Sequence, residues 1–133
     1  MRIDRLTSKL QLALSDAQSV ALGHDHTYIE PVHILISLLD QQGGSVRPIL
    51  QQAGLSVGSF RESLNGLLTR LPQVQDHDGN VQMSPEVGRL LNLADKEAQK
   101  RKDQFISSEL MLMAMFDGKD DLAKALKASG ITK

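Results

Sequence analysis

The sequence predicts an all-α fold of two pseudo-repeated four-helix motifs, the second lacking its last helix. Three observations support that expectation. Apolar residues recur at three- and four-residue spacing along most of the chain, as in helices that bury one face. No stretch alternates apolar and polar residues long enough to suggest a strand. Shifting the chain against itself by 77 positions brings caps, apolar faces and stop glycines into register. With 133 residues, 41% of them apolar, the chain is expected to form a single domain with its own core. Its expected organisation is repeat one over 7–71, a linker over 72–83 and repeat two over 84–131.

The first helix is expected from Thr7, whose hydroxyl can accept a first-turn backbone N–H. It places Leu10, Ala13, Leu14, Ala17, Val20 and Ala21 on one face, and Gly23 is expected to stop it. Pro31 opens a second helix through Asp40, apolar nearly all round and therefore expected to be buried. Gly43 and Gly44 break the chain before a short helix from Ser45 to Ala53, closed by Gly54. From Ser56 an amphipathic helix turns Val57, Phe60, Leu64, Leu67, Leu68 and Leu71 to one side.

Residues 72–83 are polar, with turn chemistry at Asp78-Gly79-Asn80, and read as a surface linker. Ser84, Pro85 and Glu86 then give cap, first-turn proline and first-turn acid in the favoured order. The helix they start should reach about Lys102 and bury Val87, Leu90, Leu91, Ala94 and Ala98. Ser107 caps a helix through Phe116, again apolar almost all round, and a last helix runs from Asp120 to Ala128.

The 77-residue offset pairs Thr7 with Ser84, Leu14 with Leu91, Ala17 with Ala94, Ala21 with Ala98, and Ile29 with Ile106. Six identities fall between Thr7 and Asp40, against about two expected from ordinary composition. The first half has a fourth helix and the second ends before its counterpart, so the chain is expected either to be cut from a longer protein or to lack its last helix.

Composition narrows the functions. Fifteen basic and sixteen acidic residues leave a net charge of -1, without the basic excess of a nucleic-acid binder. The absence of cysteine excludes disulfides, thiol nucleophiles and Cys-ligated metals. The charged N-terminus and the lack of a long apolar run suggest neither a signal peptide nor a membrane span, so a cytoplasmic location is expected. No phosphate-cradling G-x-x-x-x-G-K-[ST] motif is present, and no catalytic constellation emerges. His24, His26 and either His33 or His77 could be imagined around a metal, but His24 and His26 read better as solvated loop residues. Asp76-His77-Asp78 reads as polar linker. Met111, Met113 and Met115 are either a methionine-rich apolar surface able to adapt to partners or, as the repeat favours, the buried helix of the second half, matching Ile34 to Leu39 in the first.

Leu93 lies about 60° around its helix from Leu90, off the centre of the buried stripe. It should be partly exposed, close to Leu110 if the next helix folds back, with Glu97 on the same flank. Asp103 and Glu109 bracket the turn, and Glu109 falls where a helix N-terminus stabilises a carboxylate.

Several segments, among them Met1–Thr7, Ala21-Leu22-Gly23-His24, Gly43-Gly44-Ser45-Val46, Leu91-Asn92-Leu93 and Phe105–Leu110, resemble the amino-terminal domain of the ClpB family of Clp/AAA+ disaggregases. The resemblance runs the length of the chain. It implies a non-catalytic helical domain at the mouth of a hexameric ATPase ring, contacting unfolded or aggregated polypeptide before threading. It implies no cofactor in this domain, with ATP and magnesium serving missing downstream modules. The expected partners are client proteins and the ATPase modules of the same hexamer, with no nucleic acid and no membrane; the isolated domain is expected to be monomeric.

Carried over from the family, Thr7, Asp103 and Glu109 form a polar cluster at the rim, while Leu93 and Leu110 belong to an apolar client-binding groove. Glu97 stands where the family has leucine, which would narrow the groove and either weaken client binding or favour basic, unfolded segments. Related ClpC domains recognise phosphoarginine with paired glutamates. Glu109 matches one of these, but Val32 occupies the other place, so that activity is not expected. The competing expectation is a regulatory or adaptor-docking domain that gates the ring without touching clients.

Overall fold

The computed structural model describes residues 5–71, 73, 81–118 and 120–128. Repeat one contributes α1 (Ser8–Gly23), α2 (Pro31–Asp40), α3 (Val46–Gln52) and α4 (Val57–Arg70). Repeat two contributes α5 (Pro85–Lys100), α6 (Ser108–Phe116) and α7 (Asp121–Ala128). Two short strands, β1 (Tyr28–Ile29) and β2 (Gln82–Met83), complete the described elements. Asp76-His77-Asp78 and the expected turn at Asp78-Gly79-Asn80 lie outside the described residues.

Local chemistry explains the starts. The Thr7, Ser84 and Ser107 hydroxyls accept the N–H of Leu10, Val87 and Leu110 at 3.2–3.3 Å, so α1, α5 and α6 each begin on a side-chain cap. The Asp120 carboxylate does the same for α7, accepting the Ala123 N–H at 3.0 Å. α2 begins differently: the Glu30 N–H donates to His33 Nδ1 at 2.8 Å.

The stop of α1 departs from expectation. Gly23 is the last helical residue, and the turn is made by Asp25, which adopts the left-handed region at φ 59°. Lys102 does the same after α5, at φ 62°. In both places the following N–H closes back on the helix, His26 to the Ala21 carbonyl at 2.9 Å and Asp103 to the Ala98 carbonyl at 2.8 Å. These residues lie 77 positions apart, so the repeat persists in backbone geometry where the side chains differ.

α2 and α6 are the central helices. Every residue of α2 except Asp40 is buried, and α6 exposes neither end of its apolar run. α1 covers α2, α5 covers α6, and α4 meets α7 across the repeats. Met111 and Met115 lie in the core as expected.

The strands are a finding the apolar pattern did not suggest. β1 pairs in parallel with β2, Ile29 opposite Met83, and a single parallel bridge joins Leu6 to Ile106. The second pairing is the first with the repeats exchanged. The Ser84 N–H donates to the Ile29 carbonyl and the Thr7 N–H to the Ile106 carbonyl, both at 3.0 Å. Each repeat's opening segment is therefore held by the other repeat, and the last two residues of the expected linker form part of that clasp. Arg5 adds an ion pair to Asp95 of α5 at 2.7 Å.

Candidate functional site

α5 and α6 enclose a groove of about 220 Å³. Leu93 and Met113 are half-buried on its walls, packed against the core, and Leu110, Ala94 and Ala114 complete its apolar lining. Leu93 is thus partly exposed, as its angular position predicts. Leu110 is not: at 5% exposure it forms the floor and is chiefly a core side chain. In a helix apolar on nearly every side, spacing alone does not separate floor from wall. Met113, which the sequence pattern assigned to the core, is the wall residue that pattern missed; its spacing of three from Leu110 was the available signal. The volume is below the roughly 300 Å³ usual for small-molecule sites, and suits one or two side chains of an extended chain.

Lys96, Glu97, Lys100 and Asp117 edge the groove. Glu97 does not present an uncompensated charge, because its Oε1 accepts from Arg101 Nε at 2.8 Å. The same guanidinium reaches the Met113 sulfur at 3.9 Å. A larger groove of about 290 Å³ runs between α4 and α7, but serines and alanines make up most of its lining. It offers a partner less large apolar surface.

The expected polar rim is not assembled at this groove. The Thr7 side chain is occupied as the cap of α1. Asp103 is exposed, and its backbone N–H closes α5. Glu109 accepts a 2.5 Å hydrogen bond from the Ser45 hydroxyl, joining the start of α6 to the start of α3. That bond, together with its own N–H and the Ser107 hydroxyl, holds the Glu109 carboxyl below the usual range despite burial pulling the other way. Among the described residues no hydrogen bond joins Thr7, Asp103 and Glu109, and none of the three lines the groove.

His26 departs from the solvated-loop reading, whereas His24 is exposed as that reading has it. His26 and His33 are buried, with His26 Nδ1 2.9 Å from His33 Nε2, and His24 stacks on His26. Because the Glu30 N–H donates to His33 Nδ1, the neutral His33 ring carries its proton on Nε2 and donates to His26. His26 must then carry its own proton on Nε2, a buried nitrogen with no partner among the described residues. Burial, then the neighbouring imidazoles His26 and His24, depress His33 to about 4. His26 is lowered for similar reasons, burial first and His24 second. No group of three potential metal ligands occurs among the described residues, and no helix there is long and apolar enough to cross a membrane.

The family profile for the Clp repeat (R) N-terminal domain matches residues 5–129. The chain belongs to the Clp N-terminal domain family. The 77-residue repeat and its exchanged clasps are the form that domain takes here. Over all 133 residues the chain is 55% identical to the chaperone protein ClpB of Pseudomonas putida and 51% identical to that of Vibrio cholerae. Its 133 residues span 16% of the length of each of these relatives and correspond to a Clp N-terminal domain.

Among solved structures, the Hsp104 N-terminal domain from Candida albicans superposes with a TM-score of 0.83 at 20% identity, covering 96% of this chain and 83% of that one. A ClpV N-domain in complex with a VipB peptide gives 0.82 at 25% identity, covering 98% and 81%. Both confirm the helical Clp N-domain fold.

Proposed function

We propose that this domain recognises clients for a ClpB-type disaggregase, taking short apolar stretches of unfolded or aggregated polypeptide into the groove between α5 and α6. The observation that carries the reading is the pair of half-buried side chains, Leu93 and Met113, over the buried Leu110. Large apolar side chains left half-open beside a cleft have surface still to bury, and each is worth about 1 kcal/mol or more on doing so. A site this small binds weakly, since the client also loses conformational entropy when held. Six copies on one ring would offset that through effective concentration. In this reading Glu109 acts by fixing the start of α6, whereas Thr7 and Asp103 act by fixing the ends of α1 and α5. ATP and magnesium belong to ATPase modules beyond this domain, which itself needs no cofactor, works in the cytoplasm and is monomeric in isolation.

A second reading, an adaptor-docking or gating domain, draws on the ClpV N-domain solved with a VipB peptide, a defined partner. Amide NMR titration separates the two. Shifts at Leu93, Lys96, Leu110 and Met113 on adding a permanently unfolded protein would support client binding. Silence towards unfolded protein, with shifts on adding the folded ATPase modules, would establish the second reading instead.

A further inference from the structure

The edge of the groove carries information about its ligand that the apolar floor does not. Three cations, Lys96 and Lys100 of α5 and Arg101 just past its end, stand on or beside it, against two acids, Glu97 and Asp117. The acid that would select basic ligands is engaged: Glu97 is bonded to Arg101, and the pair lies against Met113. Asp117 sits at the end of α6 and contributes to the field at Arg89, on another turn of α5. Lys96 and Lys100 are exposed, one turn apart on the groove side of α5, and make no ion pair among the described residues. The chain as a whole has a net charge of -1, so this cationic edge is a local feature and does not reflect a basic protein.

We propose that the groove selects apolar segments flanked by acidic residues, with Lys96 and Lys100 as the specificity-determining side chains. An extended client whose apolar side chains enter between Leu93 and Met113 would bring its flanking residues to the groove's edge. Carboxylates there meet two ammonium groups, whereas lysines or arginines meet the same two groups as like charges. The expectation from the sequence that Glu97 favours basic clients is thereby reversed. The proposal rests on the groove being the client site, and its test is arranged to fail separately from that reading.

The probes are three peptides sharing a Leu-Phe-Val-Leu centre in a Gly/Ser frame, flanked on each side by two glutamates, two glutamines or two lysines. Binding is followed by amide NMR at low salt and again at about 0.5 M salt, where charges more than a few ångströms apart are screened. Two exposed ion pairs are together worth about a 2- to 10-fold change in Kd. The glutamate peptide should therefore bind about that much tighter than the glutamine peptide, and the lysine peptide weaker. The differences among the three peptides should collapse at high salt and in a Lys96→Gln/Lys100→Gln variant. Equal binding of all three at the groove would overturn the charge selection and leave the client reading intact. Tighter binding of the lysine peptide would return control to Glu97 and also overturn it. If no peptide shifts the groove resonances, the groove reading itself falls, and the selection proposed here falls with it.

Discussion

Acid should weaken this fold through the buried imidazoles of repeat one, and the size of the effect follows from their surroundings. His33 titrates at 6.5 in an unfolded chain and at about 4 in the fold. Its side chain is fully buried, so the interaction is not diluted by solvent. Because the folded value is the lower one, the unfolded chain takes up the proton first as pH falls. Stability is full above pH 6.5, declines below it, and stops declining through this group below about 4. At about 1.4 kcal/mol per unit the whole gap is worth about 3 kcal/mol, of which about 2 is gone by pH 5. His26, lowered in the same direction, adds to the loss.

The structural route is specific. A protonated pair has two donors facing each other across 2.9 Å and no acceptor on His33 for the Glu30 N–H. Urea unfolding followed by circular dichroism at pH 7, 6 and 5 measures the decline, with His33→Leu as the comparison. Leucine is the residue at the matching position of repeat two, Leu110, so the exchange should be accommodated. The variant should give up some stability at pH 7 but lose less than about 1 kcal/mol between pH 7 and 5. In the wild-type protein the His33 ring protons should not shift over that interval. Parallel slopes for the two proteins, or a ring that titrates near 6, would refute the reasoning.

Leu110→Ala should cost about 2–4 kcal/mol in urea unfolding, as for a core truncation, while Leu93→Ala should cost about 1. Leu93 is therefore the cleaner position at which to separate client binding from stability. Ser45→Ala should destabilise by about 1–2 kcal/mol at pH 7, since it removes a hydrogen bond to a charged group. The folded pKa of Glu109 is depressed, so its contribution is present above about pH 4.5 and lost as pH falls through the folded value; the variant's urea profile should lack that part of the acid limb. Thr7→Ala and Ser84→Ala, which remove equivalent caps, should each lower the unfolding free energy by about 1 kcal/mol, read from the same urea curves.

The helices and the repeat were legible in the sequence because their signals are local. Ser84-Pro85-Glu86 or Gly54 announces a helix end to anyone reading a few residues at a time. The clasps were not legible, because two-residue strands carry no alternation and the bridge at Leu6 depends on Ile106, far along the chain. Gly23 drew the stop that belongs to Asp25, since aspartate in the left-handed region is less common than glycine and leaves no comparable signal. His26 and His33 looked like unrelated loop and helix residues; only the return of the chain from α1 into α2 brings them together. At the candidate site, angular position found Leu93, and the fold-back of the next helix placed Leu110 beside it. Neither signal marked Leu110 as floor, Met113 as wall, or Glu97 as engaged by Arg101.

The exchanged clasps also constrain how the molecule reaches its native state. During synthesis repeat one emerges first, yet Leu6 and Thr7 have no pairing partner until Ile106 has been made. Closing so long a loop has an entropic cost that only the assembled second repeat returns, so native contacts of this kind form late. The two halves should consequently fold and unfold as one cooperative unit, although each has its own helices. A nascent chain stalled before α6 would leave the part of α2 that meets α6 without its final cover, and would itself resemble the unfolded segments that the finished domain is proposed to bind.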